Sequence, residues 1–325
     1  MCLRPSCSFI SSGKSGMAHI QTVALVGARW LANAVKSNRV GPGLRILDAS
    51  WYLQKLKRDA KREFKLKHVP GAAFFDLDRC SDQTSPFDHM LPSESQFADY
   101  VGSLGIGNKT HVVVYDTSDW GCFSAPRVWW MFRLFGHISV SVLDGGLKRW
   151  LQEGHPVTSG YRKPEPVDFQ AGMNRSWVKT YEDVLDNVDR KVFQLVDARP
   201  CGRFRGIDPE PMDNTEPGHI PGSINMPFSS FLDPSGRLRP TEELGVLFWS
   251  AGVDLTRPIC ASGGSAMTAC LVTLAAYLCG HQGASVYDGG WSQWYARAPP
   301  EYVISEGRGK HIFRGLRGEG LGMTG

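Results

Sequence analysis

Several features common in other protein classes are missing from this 325-residue chain. The eight cysteines include no Cys-x-x-Cys pair and no cluster with histidine, so the sequence indicates neither a zinc site nor a disulfide framework. A reducing compartment is therefore the simplest expectation. There is no apolar stretch of membrane-spanning length, and we expect no membrane segment. The net charge of +4 gives no reason to expect a nucleic acid partner.

Acidic residues are absent from the first 47 positions, where six basic residues occur. This bias is typical of a mitochondrial targeting segment, which we assign to residues 1–20. The alternative is a frayed tail before the first helix. Met17 offers an internal start, and a chain beginning there would be expected in the cytoplasm. Apolar residues after it recur at helical spacing, which predicts a helix that belongs to the fold; they are Val26, Trp30, Leu31 and Ala34.

An internal duplication organises the remainder of the chain. Residues 118–146 align with residues 262–290 at a constant offset of 144 without a gap, so that Asp144 matches Asp288. Short β-branched runs alternate with amphipathic stretches in each copy, which predicts an α/β fold whose parallel sheets carry helices on both faces. We expect an N-terminal lobe at 21–155, a linker at 156–177, a C-terminal lobe at 178–300 and a tail at 301–325.

The segment 258–280 contains the most informative pattern, a buried strand followed by a small-residue loop and a helix. The loop at 263–268 is predicted to cradle an anion, because its backbone N–H groups lie beside the positive end of the helix dipole. A nucleophile would be placed at the mouth of this loop. That position is Gly263, which has no side chain.

The chain resembles the tandem rhodanese-type sulfurtransferases, and within them the 3-mercaptopyruvate type. The matching segments include HVPGAAFFDLD, APRVWWMFRLFGH, PGHIPGSINMPF and YDGGWSQWY. The resemblance implies an active loop in the C-terminal lobe and a degenerate equivalent at 119–124. It also implies that a loop cysteine takes sulfur from a donor as a persulfide and passes it to a thiol or cyanide. Neither a cofactor nor a metal is implied.

Family loops have the form Cys-x-x-x-x-Thr, and Gly263 stands at the position of the cysteine. The remaining loop residues are expected to contact the donor; they are Gly264, Ser265, Ala266, Met267 and Thr268. The Gly264–Ser265 pair favours 3-mercaptopyruvate over thiosulfate, because the Arg and Lys found in thiosulfate enzymes are missing. Cys260 and Cys270 lie nearby, but we expect both to be buried, inert thiols.

The resemblance also assigns residues outside the loop. Arg203 matches one of two arginines that hold the donor carboxylate, and the second arginine is replaced by Met212. A surface salt bridge is the alternative role for Arg203. Asp78, His89 and Ser265 match a proton relay for the leaving pyruvate enolate. Three tryptophans are candidates for the pocket wall or for the core: Trp51, Trp291 and Trp294.

Three functions remain open on the sequence. The first is a sulfurtransferase that uses 3-mercaptopyruvate or thiosulfate as donor, with thioredoxin or a small dithiol as acceptor, impaired by Gly263. The second is an inactive pseudo-sulfurtransferase that binds an anion or a partner. The third is a hydrolase of esters or thioesters based on Ser265. The residue at position 263 is the feature that separates the first two.

Overall fold

The computed structural model describes residues 23–310, and the predicted targeting segment at 1–20 lies outside them. Ten short strands form two parallel sheets of the same design. The strands are β1 (Leu25–Val26), β2 (Leu44–Asp48), β3 (Ala72–Phe74), β4 (His111–Tyr115), β5 (Val140–Leu143), β6 (Val178–Lys179), β7 (Gln194–Asp197), β8 (Ile224–Asn225), β9 (Ile259–Ser262) and β10 (Ser285–Tyr287). Their orders are β1-β5-β4-β2-β3 and β6-β10-β9-β7-β8. The two sheets confirm the predicted duplication.

Helices cover both faces of each sheet. They are α1 (Ala28–Lys36), α2 (Ala60–Leu66), α3 (Glu94–Ser103), α4 (Ala125–Leu134), α5 (Gly146–Gln152), α6 (Tyr181–Arg190), α7 (Cys201–Arg205), α8 (Thr241–Ser250), α9 (Ala269–Leu278) and α10 (Gly290–Arg297). The side chains of β4 show why helices pack on both faces of the sheet. Val112 and Val114 enter one apolar cluster and Val113 and Tyr115 enter another, because successive side chains of a strand point to opposite faces. No helix within residues 23–310 is long and apolar enough to span a membrane.

The predicted linker follows the N-terminal lobe closely. Its Thr158 pairs with His68 in an isolated bridge, and Val167 N–H donates to the Gly102 carbonyl at 3.0 Å. The chain then enters β6 and the C-terminal lobe. Residues 301–310 of the predicted tail pack on that lobe, since Ile304 pairs with His219, and positions 311–325 lie outside the described residues.

The two lobes meet along α4 and α9, and a single apolar cluster runs through both. Two hydrogen bonds also join the lobes, each from a backbone N–H of one lobe to an aspartate of the other. Asp144 of the N-terminal lobe accepts a hydrogen bond from Leu238 N–H of the C-terminal lobe at 2.9 Å. Asp288 of the C-terminal lobe accepts one from Leu91 N–H of the N-terminal lobe at 3.0 Å. Each lobe therefore fixes a segment that reaches across from the other.

Candidate active site

Loop 263–268 joins β9 to α9 as the sequence predicts. Its first carbonyl groups face α10, because Gly263 O accepts from Trp291 N–H at 2.8 Å and Gly264 O accepts from the backbone and side chain of Ser292. The amides of residues 265–269 have no acceptor within the described part of the chain. They are free to bind an anion at the N-terminus of α9.

Gly263 faces this group of amides. A Cβ built on Gly263 would lie 2.9 Å from Thr268 Oγ1 and 3.4 Å from Ala269 N. The backbone of Gly263 is outside the left-handed region, whereas Ala266 has a φ of 61° and lets the loop turn tightly. A side chain at position 263 would therefore project towards polar donors of the loop.

The structure brings the three predicted relay residues together. His89 Nδ1 lies 3.0 Å from Ser265 Oγ, and His89 Nε2 lies 3.0 Å from Asp78 Oδ1. Trp51 donates from Nε1 to the same Asp78 oxygen at 3.0 Å and packs its ring edge-to-face against the imidazole. Trp51 therefore lines the site, while Trp291 and Trp294 are buried and donate to backbone carbonyls of Glu216 and Tyr302.

Hydrogen bonding fixes how this relay can hold a proton. The bond from His89, followed by that from Trp51, lowers the pKa of Asp78 and keeps it a carboxylate. A carboxylate can only accept, so His89 donates to Asp78 from Nε2; in the neutral tautomer that this bond selects, Nδ1 accepts from Ser265 O–H. The arrangement can pass a proton between Ser265 and a group bound at the loop.

Sequence reasoning missed the residues that hold His89 in place. The side chain of Arg127, which begins near the start of α4, donates to the His89 carbonyl at 2.6 Å and pairs with Asp288 Oδ1 at 3.3 Å. The other Asp288 oxygen binds Leu91 N–H, two residues beyond His89. His89 itself has a φ of 60°, so this buried pair supports an uncommon backbone conformation. The duplicated Asp-Gly-Gly segment was the available signal for Asp288.

The two predicted carboxylate anchors lie in different surroundings. Arg203 pairs with Glu210 at 3.4 Å and keeps 17% of its side chain exposed. Met212 is 38% exposed, and its sulfur accepts a hydrogen bond from Ser292 Oγ at 3.2 Å. Because the same hydroxyl also lies 3.1 Å from Gly264 O, and the two acceptors share its single proton, position 212 is linked to the loop. A longer cationic side chain at this position would start close to the predicted donor site.

Neither neighbouring cysteine has the environment of a nucleophile. Burial raises the pKa of Cys260 to about 12, and burial likewise raises the pKa of Cys270 to about 12. Cys260 packs with Tyr287 and Trp291 in the apolar cluster on one face of the sheet. The Cys270 thiol donates to the Ala266 carbonyl at 3.4 Å. Both thiols remain protonated at neutral pH, as expected of structural cysteines.

The N-terminal loop corrects one feature of the gapless alignment. Tyr115 pairs with Asp48 in the N-terminal sheet as Ser262 pairs with Asp197 in the C-terminal one, an offset of 147, whereas the following helices begin at 125 and 269, an offset of 144. The N-terminal connection therefore contains three additional residues and begins at 116 rather than 119. Asp116 is the structural counterpart of Gly263.

The Asp116 carboxylate accepts hydrogen bonds from backbone amides of its own loop. One of its carboxylate oxygens, Oδ2, accepts from the backbone N–H groups of Phe123, Ser124 and Ala125 at 2.8, 3.0 and 2.9 Å. The other oxygen accepts from Ser118 N–H at 3.1 Å. The degenerate loop thus holds an anion that is part of the chain itself.

Comparison with known proteins agrees with this architecture. The model of the rhodanese-like domain matches residues 28–153 and 180–297. The chain is 58% identical to 3-mercaptopyruvate sulfurtransferase of Rattus norvegicus over 289 residues, which cover 89% of this chain and 97% of the relative. It is 56% identical to thiosulfate sulfurtransferase of Bos taurus over 287 residues, which cover 88% of this chain and 96% of that relative.

Solved structures give the same result. A 3-mercaptopyruvate sulfotransferase from Escherichia coli, SseA, has a TM-score of 0.74 and 37% identity, and the match covers 83% of this chain and 99% of the other. The Tum1 protein of Saccharomyces cerevisiae has a TM-score of 0.77 and 29% identity over 87% of this chain and 98% of the other. The chain belongs to the rhodanese family of sulfurtransferases and contains two rhodanese-like domains in tandem.

Proposed function

We propose that this chain binds a sulfur donor of the 3-mercaptopyruvate type at loop 263–268 and that its sulfur transfer is slow because position 263 has no thiol. The observation that carries the proposal is the placement of Gly263. It lies beside amides without acceptors, while the Asp78–His89–Ser265 relay borders the same loop. The amides and the relay that the reaction needs around the nucleophile are present, whereas one of the two carboxylate-holding arginines is replaced by Met212.

The geometry supports a division of roles in sulfur transfer. When a thiolate attacks the sulfur of 3-mercaptopyruvate, the carbon–sulfur bond breaks and its electron pair remains on the pyruvate enolate. Ser265 and His89 are positioned to deliver the proton that this carbon needs, and Asp78 holds the imidazole in the required tautomer. The loop amides would stabilise the negative charge of the sulfur product.

The choice of donor rests on the loop and not on overall identity. The two curated relatives act on different donors by name, and their identities to this chain, 58% and 56%, are nearly equal. Gly264 and Ser265 leave the loop without cationic side chains, which suits a donor with one negative charge. Arg203 is the remaining candidate for its carboxylate. We propose thioredoxin, a small dithiol or cyanide as the acceptor.

Replacing Gly263 with cysteine tests the proposal. The unmodified chain should release little pyruvate from 3-mercaptopyruvate in the presence of a dithiol, and Gly263→Cys should increase the rate by orders of magnitude. Adding Met212→Arg to that variant should raise kcat/KM by roughly tenfold or more through a second charged contact to the carboxylate. Rapid turnover by the unmodified chain that Cys260→Ser or Cys270→Ser abolishes would contradict the assignment.

A pseudo-sulfurtransferase that binds an anion is the second candidate function. It is favoured by the acceptor-free amides of the loop, which lose no donor when the side chain at 263 is missing. Under this alternative, Gly263→Cys would remain inactive while sulfate or thiosulfate still raised the melting temperature of the protein. For either function, we propose a mitochondrial location, supported by the acid-free N-terminus, or a cytoplasmic one for a chain starting at Met17.

A further inference from the structure

The two loops differ in whether the protein supplies its own anion. In the N-terminal lobe, three amides converge on Asp116 Oδ2 at 2.8–3.0 Å. The amides at the start of the helix in this strand–loop–helix unit therefore bind one negatively charged oxygen. That oxygen belongs to the side chain of the residue that directly follows the strand.

The corresponding space in the C-terminal lobe contains a second, independent indication of a ligand. Thr268 is 8% exposed, and its hydroxyl has no hydrogen-bond partner among residues 23–310. Thr268 Oγ1 faces the position of a Cβ on Gly263, at 2.9 Å. The hydroxyl oxygen is not among the fully buried side-chain atoms that lack a partner, so it is open to solvent and can donate to a bound anion. Gly264 and Ser265 are partly exposed, so the loop is open to a small solute.

We propose that this cradle binds free hydrosulfide and uses it as an untethered nucleophile in place of a side-chain thiolate. The inference rests on the proposed function, since it requires the same donor and the same relay. Hydrosulfide is a single-sulfur anion, so its nucleophilic atom is also the atom that the amides and Thr268 Oγ1 would contact. A larger thiolate would bring a carbon chain into a space bounded by Thr268, Ala269 and Ala266.

The reaction balances without any further reagent. The sulfur of hydrosulfide attacks the sulfur of 3-mercaptopyruvate, a sulfur–sulfur bond forms, and the carbon–sulfur bond breaks with its electrons left on the pyruvate enolate. A proton from the new disulfane reaches the enolate carbon through Ser265 and His89. The products are pyruvate and the disulfane anion, whose outer sulfur passes to an acceptor thiol or cyanide.

A titration with sodium hydrosulfide tests the proposal on the full-length, unmodified chain. Pyruvate release from 3-mercaptopyruvate should rise with hydrosulfide, reach saturation, and exceed the enzyme-free rate by about tenfold or more. It should stay well below the rate of Gly263→Cys, because a diffusible nucleophile lacks the advantage of a covalent tether. Chloride at matched ionic strength should support no turnover and should compete with hydrosulfide.

Gly263→Ala is the matched control, because its methyl group would occupy the space between Thr268 Oγ1 and Ala269 N. This variant should lose the response to hydrosulfide and keep a cooperative thermal unfolding transition. If Gly263→Ala fails to fold, Thr268→Val removes the hydroxyl without adding an atom, and it should raise the hydrosulfide concentration needed for half-maximal rate. A response that does not saturate, or that is equal in Gly263→Ala, would overturn the inference.

Gly263→Cys separates this inference from the proposed function. If the variant turns over without hydrosulfide and the unmodified chain never responds to it, the donor site is correct and only the free nucleophile is wrong. If Gly263→Cys is inactive as well, the proposed function itself fails.

Discussion

In the N-terminal lobe the carboxylate of Asp116 accepts hydrogen bonds from three loop amides, whereas in the C-terminal lobe Gly263 occupies the same position and those amides have no acceptor in the described chain. The sheets around the two loops have the same strand order. The amides of the N-terminal copy are therefore occupied by a carboxylate of the chain itself, whereas those of the C-terminal copy have no acceptor among residues 23–310.

A second difference concerns what crosses from the opposite lobe. The segment that reaches the C-terminal loop brings His89, with its hydrogen bonds to Ser265 and Asp78. The segment that reaches the N-terminal loop brings Gly236, whose backbone lies so close to Gly121 that a Cβ there would be 2.6 Å from the Gly236 carbonyl oxygen. One crossing supplies a histidine that is hydrogen-bonded to a loop hydroxyl, and the other supplies backbone at Gly236 and the apolar ring of Phe228, which packs against Trp120 and Phe123.

Moving a cysteine into each loop gives the largest expected difference. Gly263→Cys should gain sulfur transfer, whereas Asp116→Cys, in the unmodified background, should remain at least about 10³-fold slower because no histidine corresponding to His89 is hydrogen-bonded at its loop within residues 23–310. Pyruvate release and trapping of the loop persulfide by cyanide measure both variants under the same conditions. Equal activity in the two variants would mean that the amides and the thiol suffice, and that the His89 relay contributes nothing.

The strand–loop–helix unit and the duplication could be predicted from the sequence, but the equivalence of Asp116 with Gly263 could not. The strand, loop and helix at 258–280 follow from the apolar run and the small residues, and the matching Asp-Gly-Gly segments reveal the duplication. The three extra residues of the N-terminal loop escaped notice because helices and Asp-Gly-Gly segments keep an offset of 144, and the strands share no identity that would reveal the shift to 147.

The relay illustrates a different limit. His89 and Ser265 are separated by 176 positions, and only the family resemblance linked them before the structure placed them 3.0 Å apart. The buried Arg127–Asp288 pair, which holds the segment around His89, joins two lobes and has no local sequence pattern. Contacts of this kind depend on how the lobes pack, and periodicity within one element does not contain that information.

Asp48 and Asp197 end the equivalent strands β2 and β7, and their effects on the free energy of unfolding allow a further comparison of the two lobes. Asp197 is paired with the buried guanidinium of Arg199 through both carboxylate oxygens, whereas Asp48 has hydrogen bonds from Ser50 and no cationic partner in the hydrogen-bond or ion-pair contacts of residues 23–310. Asp197→Asn should lower the free energy of unfolding by about 3 kcal/mol at pH 8, because it removes one charge of a buried pair. Glu210 remains beside Arg199 and limits the loss.

Denaturant titrations of Asp197→Asn and Asp48→Asn provide the measurement. Asp48→Asn keeps an oxygen acceptor for Ser50 and removes no ion pair, so its free energy of unfolding at pH 8 should be close to that of the unmodified chain or higher. A loss in Asp48→Asn as large as that in Asp197→Asn would show that the two lobes hold these carboxylates in the same way.

The last expected effect is a pH dependence that Asp48 produces. Burial raises the pKa of Asp48 to about 7, despite opposing hydrogen bonds from Ser50. In the unfolded chain an aspartate has a pKa of about 4. Between these values the folded protein retains a proton that the unfolded chain has released, so this group's contribution to stability falls as pH rises from about 4 to about 7 and is constant above. Asp48→Asn cannot titrate, and its advantage over the unmodified chain should therefore grow through the same interval. Thermal melts of the two proteins at half-unit pH steps measure this difference; parallel curves would mean that Asp48 is already ionised in the folded state at low pH.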